Sequence, residues 1–311
     1  MNFYPLLRNV NNINAKPILK WAGGKGALLP QLSDKFPNKL RCGAIKRYIE
    51  PFIGGAAVFF EICNTCQFEE AFLFDINPEL IILYNVVKYD VSTLIDELSL
   101  LQKAYAVAAD KSVLYYDLRN EYNAFDKQIN TNFYQSNFIR RAALTVFLNH
   151  TCFNGLFRVN RKGFFNVPMG RYANPRILDA DNLTAVSHAL SRATVVQADF
   201  ATALKYADKN TFIYYDPPYR PLSNTSFTSY AADCFDDNEQ RRLKNVFVEA
   251  DKLGALQMLS NSDPTNSGND SFFDDLYKGY NIHRIWAKRQ INSKADGRSA
   301  IRELLITNYT Q

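Results

Sequence analysis

One repeated unit constrains the fold of this chain more than any other feature. A short apolar run stops at or near an acid, and residues of helical period follow. Arg47–Glu50 leads into "EPFIGGAAVFFEI". Ala71–Phe74 stops at Asp75, Ala193–Gln197 runs up to Asp199, and Thr211–Tyr215 stops at Asp216. Strands of that length alternating with helices predict an α/β fold with a mostly parallel sheet. After Asp75, "NPELIILYNVVK" predicts a helix with Asn77 as N-cap and Pro78 at the first helical position, where a missing N–H costs nothing. Asp237 to Leu253 predicts an amphipathic helix with Leu243, Val246, Phe247, Ala250 and Leu253 on one face, and Gly254 ends it. Ala255–Ser260, "NIHRIWA" and "RELLITNY" read as three further strands.

The alternation stops between residues 91 and 189. That stretch carries helical periods and then a hairpin-like segment, "LFRVNRKGFFNVPMG", with a turn near Arg161–Gly163. It reads as an inserted second domain of residues 91–189, with residues 1–90 and 190–311 forming the sheet domain. At 311 residues, 47% of them apolar, the chain can bury one large core or two ordinary ones.

Net charge is only +5, but its distribution is uneven. Residues 139–176 hold seven Lys/Arg and no Asp or Glu; residues 1–49 hold nine basic residues against Asp34 alone. Such blocks suit a polyanionic partner. Five cysteines, at 42, 63, 66, 152 and 234, form one CxxC without a second pair, and the three histidines are far apart. No metal site is expected; the cysteines read as reduced, mostly buried thiols of a cytoplasmic protein. No apolar signal region and no membrane-spanning run is present in the sequence, so no membrane partner is expected.

Ligands of open α/β sheets bind beyond the carboxyl ends of the strands. There, Gly54-Gly55 lets a ligand approach the backbone, and Asp75, 21 residues after Gly54, suits a ribose. Asp199 and Phe200 are placed to bind and cover an adenine. These features point to an adenosine-containing cofactor and leave a dinucleotide and S-adenosylmethionine both open. Gly23-Gly24-Lys25 falls short of a triphosphate-binding loop, because Ile18 stands at its first glycine and Gly26 follows the lysine. The segment "DPPY", Asp216-Pro217-Pro218-Tyr219, has its own chemistry. An aromatic amine has its lone pair delocalised into the ring. A carboxylate at Asp216 and a rigidly held carbonyl at Pro217 can accept its two N–H bonds and localise that lone pair, while Tyr219 stacks on the base. The following "RPLSNTSFTSY" reads as a loop that orders over the base.

These blocks together resemble the DNA adenine methyltransferases of the Dam type, including the methyltransferases of restriction systems that recognise GATC. The resemblance covers roughly residues 17–309. It rests on "KWAGGK", "EPFIGGAAVFF", "DINPELI", "FNGLFRVNRKGFFNVPMGRY", "ADF", "DPPY" and "ELLITNY", in the order of the alpha group of amino-methyltransferases. It implies a Rossmann-like S-adenosylmethionine-dependent sheet with an inserted, mostly helical DNA-recognition domain carrying a β-hairpin. By resemblance, Trp21, Lys25, Phe52, Gly54, Asp75, Asp199, Phe200 and Asp216 bind S-adenosylmethionine, and Asp216, Pro217, Pro218 and Tyr219 are catalytic. Lys20, Leu156, Arg158 and Pro168 match base-contacting positions, Phe153 and Asn154 a pair that enters the duplex, and Arg171 a phosphate contact. The family often has tyrosine where Phe153 stands. An Arg-rich hairpin between aromatic residues also suits a major groove on physical grounds.

The expected function is methylation of adenine in double-stranded DNA, within GATC, by base flipping, in the cytoplasm, with a cognate restriction system as a further partner; the sequence leaves the oligomeric state open, a monomer being compatible with it. Methylation of the cytosine amine is the alternative within this chemistry. A non-catalytic DNA-binding module with the same fold is the alternative outside it.

Overall fold

A computed structural model describes residues 13–126, 128–131, 133–221, 235–266, 268, 270–287 and 301–310. Residues 222–230, the body of the loop expected to close over the base, lie outside the described residues, as does Cys234.

In chain order the elements are α1 (Leu29–Ser33), α2 (Asn38–Arg41), β1 (Arg47–Glu50), α3 (Ala57–Thr65), β2 (Glu70–Asp75), α4 (Pro78–Val107), α5 (Lys111–Ala124), α6 (Phe138–Thr151) and α7 (Ala180–Leu190). They continue with β3 (Ala193–Gln197), β4 (Thr211–Tyr215), α8 (Asp237–Lys252), β5 (Leu256–Ser262), α9 (Phe272–Leu276), β6 (Asn281–Ala287) and β7 (Ile301–Thr307). The seven strands form one sheet in the order β3-β2-β1-β4-β5-β7-β6. β1 to β5 pair in parallel, whereas β7 runs antiparallel between β5 and β6.

Local chemistry explains the main elements. β4 is buried at all five positions, the continuous apolar run of a central parallel strand covered on both faces. Asn77 caps α4, its side chain accepting from the Glu79 N–H at 3.0 Å. Asp236 caps α8 by accepting from the Asn238 and Glu239 N–H groups. α8 buries Leu243, Val246, Phe247 and Ala250 against Ile213, Tyr215, Leu259, Leu304 and Ile306. Each such side chain contributes about 1.5–3 kcal/mol of burial. Leu253, expected on that buried face, is 48% exposed. The helix stops at Lys252, and Gly254, at φ +84°, turns the chain away two residues later.

The chain divides into two compact units. One comprises residues up to Ala22 with Ile82–Ser191; the other comprises Gly23–Ile81 with residues from Arg192 onward. The N-terminal segment and residues 82–90 therefore group with the helical unit, where the sequence had placed both in the sheet domain. The reason is visible in backbone bonds. Asn182 takes the Lys16 N–H and carbonyl at 2.9 and 3.0 Å, Asn149 does the same for Lys20 at 2.9 Å each, and His150 Nε2 lies 2.8 Å from the Ile18 carbonyl.

Within the helical unit, the expected hairpin is present as two isolated antiparallel bridges, Cys152↔Met169 and Val159↔Phe165. Its turn is closed by the Asn160 side chain, which accepts from the N–H groups of Lys162 and Phe164, with Gly163 at φ +76°. The basic blocks are smaller than they looked. Arg140 is neutralised by Glu121 and Glu97, Arg141 is 2% exposed, and Arg176 pairs with Asp179. In the N-terminal block, Lys25, Lys46 and Arg47 all meet carboxylates. Their partners lie outside the segments counted, so a linear count cannot see them. Arg158, Arg161, Lys162 and Arg171 remain exposed. The cysteines are also less buried than expected: Cys152 is buried, Cys63 and Cys66 partly, and Cys42 is exposed.

Candidate active site

The strand order reverses between β1 and β4, which are neighbours in the sheet although far apart in sequence. In doubly wound sheets such a switch point opens a crevice at the carboxyl edge. Glu50 ends β1 and Asp216 follows β4 at that edge. Lys25, 4% exposed, places its ammonium 2.7 Å from Asp216 Oδ1, 2.7 Å from the Gly23 carbonyl and 4.6 Å from the centre of the Tyr219 ring. The Tyr219 hydroxyl donates to Glu303 Oε2 at 2.7 Å, and the Tyr48 hydroxyl to Glu50 Oε2 at 2.7 Å.

Among the described residues, the buried carboxyl of Glu50 and the half-buried carboxyls of Asp216 and Glu303 thus face the Lys25 ammonium. Burial pushes Asp216 above the ordinary carboxylate range, with Lys25 opposing. Burial raises Glu50 strongly, against the hydrogen bond from Tyr48, and the Asp216 charge raises it further. Glu303 is raised by burial, against Lys25 and Tyr219. Low dielectric penalises each charge.

The loop carrying these groups is braced from behind. Gln240 Nε2 donates to the Pro218 carbonyl at 3.2 Å and meets Asn261 through its Oε1. Asn261 accepts the Arg220 N–H at 3.2 Å, and Ser262 donates to the Arg220 carbonyl at 2.7 Å. The Arg220 guanidinium pairs with Asp237 and Asp270 over the Phe272 ring. Prolines 217 and 218 donate nothing, so the loop depends on these side-chain contacts for its position.

Further along the edge, Asp75 accepts the Gly54 N–H at 3.0 Å and the Asn77 N–H at 2.9 Å. Burial raises its carboxyl in spite of them. Asp199 is claimed by Arg242, whose Nη1 lies 3.0 Å from Oδ2, and it caps the turn after β3 through the Ala201 N–H. Partial burial of Asp199 is outweighed by Arg242, and its carboxyl is lowered. Phe200 is only 3% exposed, stacked on Phe52 with ring centres 5.4 Å apart and the Arg242 guanidinium 4.2 Å above its ring. An open ring to cover an adenine is therefore not what Phe200 presents; the exposed apolar group beside Asp75 is Ile76, at 70%.

The remaining residues singled out in the sequence lie in the helical unit. Trp21 stacks on Phe157, ring centres 5.3 Å apart. The "KWAGGK" block is thus divided, with Lys20 and Trp21 in one unit and Lys25 in the other. Phe153 is 50% exposed, and Asn154 adopts a left-handed conformation at φ 56°. Gly155, at φ +64°, lies under Lys20: a Cβ there would stand 2.8 Å from Lys20 Cβ. The Lys20 ammonium sits 4.5 Å over the Tyr172 ring. Arg158, Pro168 and Arg171 are exposed and Leu156 half-buried.

Residues 21–291 match the model of the family described as D12 class N6 adenine-specific DNA methyltransferase. The chain belongs to that family. It is 44% identical over 301 residues to the Type II methyltransferase M.MjaIII of Methanocaldococcus jannaschii, covering 96% of this chain and 100% of that one. It is 38% identical to the Type II methyltransferase M1.LlaDCHI of Lactococcus lactis subsp. cremoris, covering 96% and 97%. It is 34% identical to the DNA adenine methylase of Haemophilus influenzae, covering 93% and 92%.

For this D12 methyltransferase the acceptor is adenine N6, which decides between the two amines left open by the sequence, and the fold is that of a methyltransferase. Membership implies use of S-adenosylmethionine and a DNA substrate. No helix among the described residues is long and apolar enough to cross a membrane. Sequence reasoning missed Glu303, Arg242 and the Gln240–Asn261 brace. Glu303 opens "ELLITNY", and an acid heading an otherwise apolar strand was the available signal. Arg242 and Gln240 stand on an amphipathic helix whose polar positions look like ordinary solvated face.

Proposed function

We propose that this methyltransferase acts within GATC of double-stranded DNA, on an adenine turned out of the helix, with the sheet unit carrying the chemistry and the helical unit the sequence reading. The observation that carries the chemical half is the Lys25–Asp216–Tyr219–Glu303 cluster. Lys25 takes Asp216 Oδ1, so Oδ2 and the Pro217 carbonyl are the oxygens left to accept the two N–H bonds of the amine. That pair of acceptors draws the nitrogen lone pair out of the ring and fixes the nucleophile. Lys25 occupies one face of Tyr219 and Glu303 fixes its hydroxyl, and the opposite face is the one that would stack on an extruded base.

The edge fits S-adenosylmethionine by its charge: among the described residues, the carboxyls of Glu50, Asp216 and Glu303 gathered around Lys25 suit a ligand bearing a sulfonium and an amino group. When bound, S-adenosylmethionine supplies a methyl group made electrophilic by the sulfonium. Within the sheet unit Lys25, Phe52, Gly54, Asp75, Asp199 and Asp216 would hold it, with Ile76 offering the exposed apolar face for its adenine that buried Phe200 lacks; Trp21 and Phe200 enter by the resemblance alone. Lys20, Leu156, Arg158 and Pro168 would read the site, Phe153 and Asn154 enter the duplex, and Arg171 meet a phosphate. GATC rests on the match of those four reading positions to the methyltransferases the sequence resembles. The protein would act in the cytoplasm. Two of the relatives are named Type II methyltransferases, so a restriction endonuclease of the same specificity is the partner to seek.

The test is direct. Unmethylated plasmid is incubated with the protein and S-adenosylmethionine, then digested with nucleases that distinguish methylated from unmethylated GATC. Protection at GATC is expected. Methyl-adenine found outside GATC would refute the site, and full activity in Asp216→Ala would refute the mechanism.

A further inference from the structure

The hairpin proposed to read DNA pairs its arms through two isolated bridges and a few single backbone bonds rather than a continuous ladder, so contacts from outside it add to its shape. A ladder on α5 does this. The Tyr115 hydroxyl donates to the Val167 carbonyl at 2.8 Å. Asn123 makes both backbone bonds of Phe165, donating to its carbonyl at 3.0 Å and accepting its N–H at 2.7 Å. Between them, Arg119 reaches the Val167 carbonyl at 3.4 Å. These three side chains recur every fourth residue. From Arg119 to Asn123 four helical residues rise about 6 Å, close to the about 6.6 Å that two extended residues span from Val167 to Phe165, and the long Tyr115 side chain reaches the same Val167 carbonyl from one turn further along the helix. α5 thereby does for the returning arm what a neighbouring strand would do. The Phe165 and Val167 side chains are buried, with Phe165 packed edge-on against Tyr122.

The residue between the two clamped positions is Asn166, whose side chain must point the opposite way. Its Oδ1 accepts from Arg158 Nε at 2.8 Å, and its N–H donates to the Arg158 carbonyl at 3.1 Å. A guanidinium has five donors in a rigid fork, so fixing Nε sets the direction of the rest. We infer that Tyr115 and Asn123, acting through Phe165, Val167 and Asn166, are positioning residues that aim the Arg158 guanidinium and so set sequence discrimination. This rests on the reading of the hairpin as the element that contacts bases.

The experiment measures methylation rates on a duplex carrying the methylated site and on the same duplex with one base pair changed. The proteins are the full chain, Tyr115→Phe, Asn123→Ala and Arg158→Ala, and each of the first two variants combined with Arg158→Ala. Tyr115→Phe and Asn123→Ala are expected to lower discrimination roughly fivefold to tenfold, the equivalent of one or two hydrogen bonds. In the Arg158→Ala background they should lower it no further, an interdependence that a general loss of stability would not produce. Tyr115→Phe keeps the core volume and carries the test if Asn123→Ala fails to fold. Lost discrimination in Arg158→Ala with unchanged discrimination in Tyr115→Phe would overturn the ladder alone. Unchanged discrimination in Arg158→Ala would remove the reading of the hairpin, and the ladder's role with it.

Discussion

Lys25→Met removes the ammonium that pairs with Asp216 at nearly constant side-chain volume. The consequence can be bounded from the structure. Asp216, left without its partner at 2.7 Å, has two courses. Remaining ionised and unpaired in a buried site costs about 3–5 kcal/mol. Taking up a proton, from an ordinary value of 3.8, costs about 1.4 kcal/mol per pH unit, hence about 4 kcal/mol at pH 7 and about 1.6 kcal/mol at pH 5. The molecule takes the cheaper course, so the variant should lose about 3–4 kcal/mol at pH 7 and no more than about 1.6 kcal/mol from this group at pH 5. The sign follows from the raised carboxyl: the stability of its protonated form is present at low pH and lost as pH rises through the folded-state value. Glu50 and Glu303 also lose the attraction of Lys25 and shift in the same direction. Urea unfolding of both proteins at the two pH values measures the difference. A destabilisation that is the same at pH 5 and pH 7, or below about 1 kcal/mol at pH 7, would refute the account of Lys25 as the charge that keeps Asp216 ionised.

Glu303→Gln keeps an acceptor for Tyr219 but cannot ionise. Because burial raises Glu303, the parent protein should lose more stability between pH 5 and pH 8 than the variant; parallel melting curves against pH would contradict this. Gly155→Ala places a Cβ at a left-handed position against Lys20 and should cost about 2 kcal/mol in denaturant while weakening DNA binding. Gly43→Ala has a similar φ but only ordinary contacts around it, and should leave DNA binding unchanged in the same titration. Arg171→Ala should weaken binding to all duplexes and reduce the slope of log affinity against log salt by about one, whereas Arg158→Ala should relax sequence choice. Identical titrations for the two variants would dissolve that division of labour.

Much of this protein was legible in its sequence because the relevant interactions are local. Strand and helix periods, the Asn77 cap and the order of the short motifs depend on residues within a few positions of one another. They were enough to place all seven strands and to bring Asp216, Pro217, Pro218 and Tyr219 to a strand end. Other features depend on which distant segments meet. β7 runs antiparallel beside β5, pairing Glu303 with Ser262, and only that direction delivers the start of a strand to the carboxyl edge of its parallel neighbours. Arg140 loses its free charge to Glu97 and Glu121 from two other helices. The backbone of the Lys20 segment is held by Asn149 and Asn182, so the segment joins a unit its position in the chain does not suggest. A linear pattern carries the side-chain period of each element and the chemistry of each motif. Which charges are paired, and which acid reaches Tyr219, depends on the packing of elements distant in the chain, nineteen and forty-three residues away for the partners of Arg140 and eighty-four for Glu303.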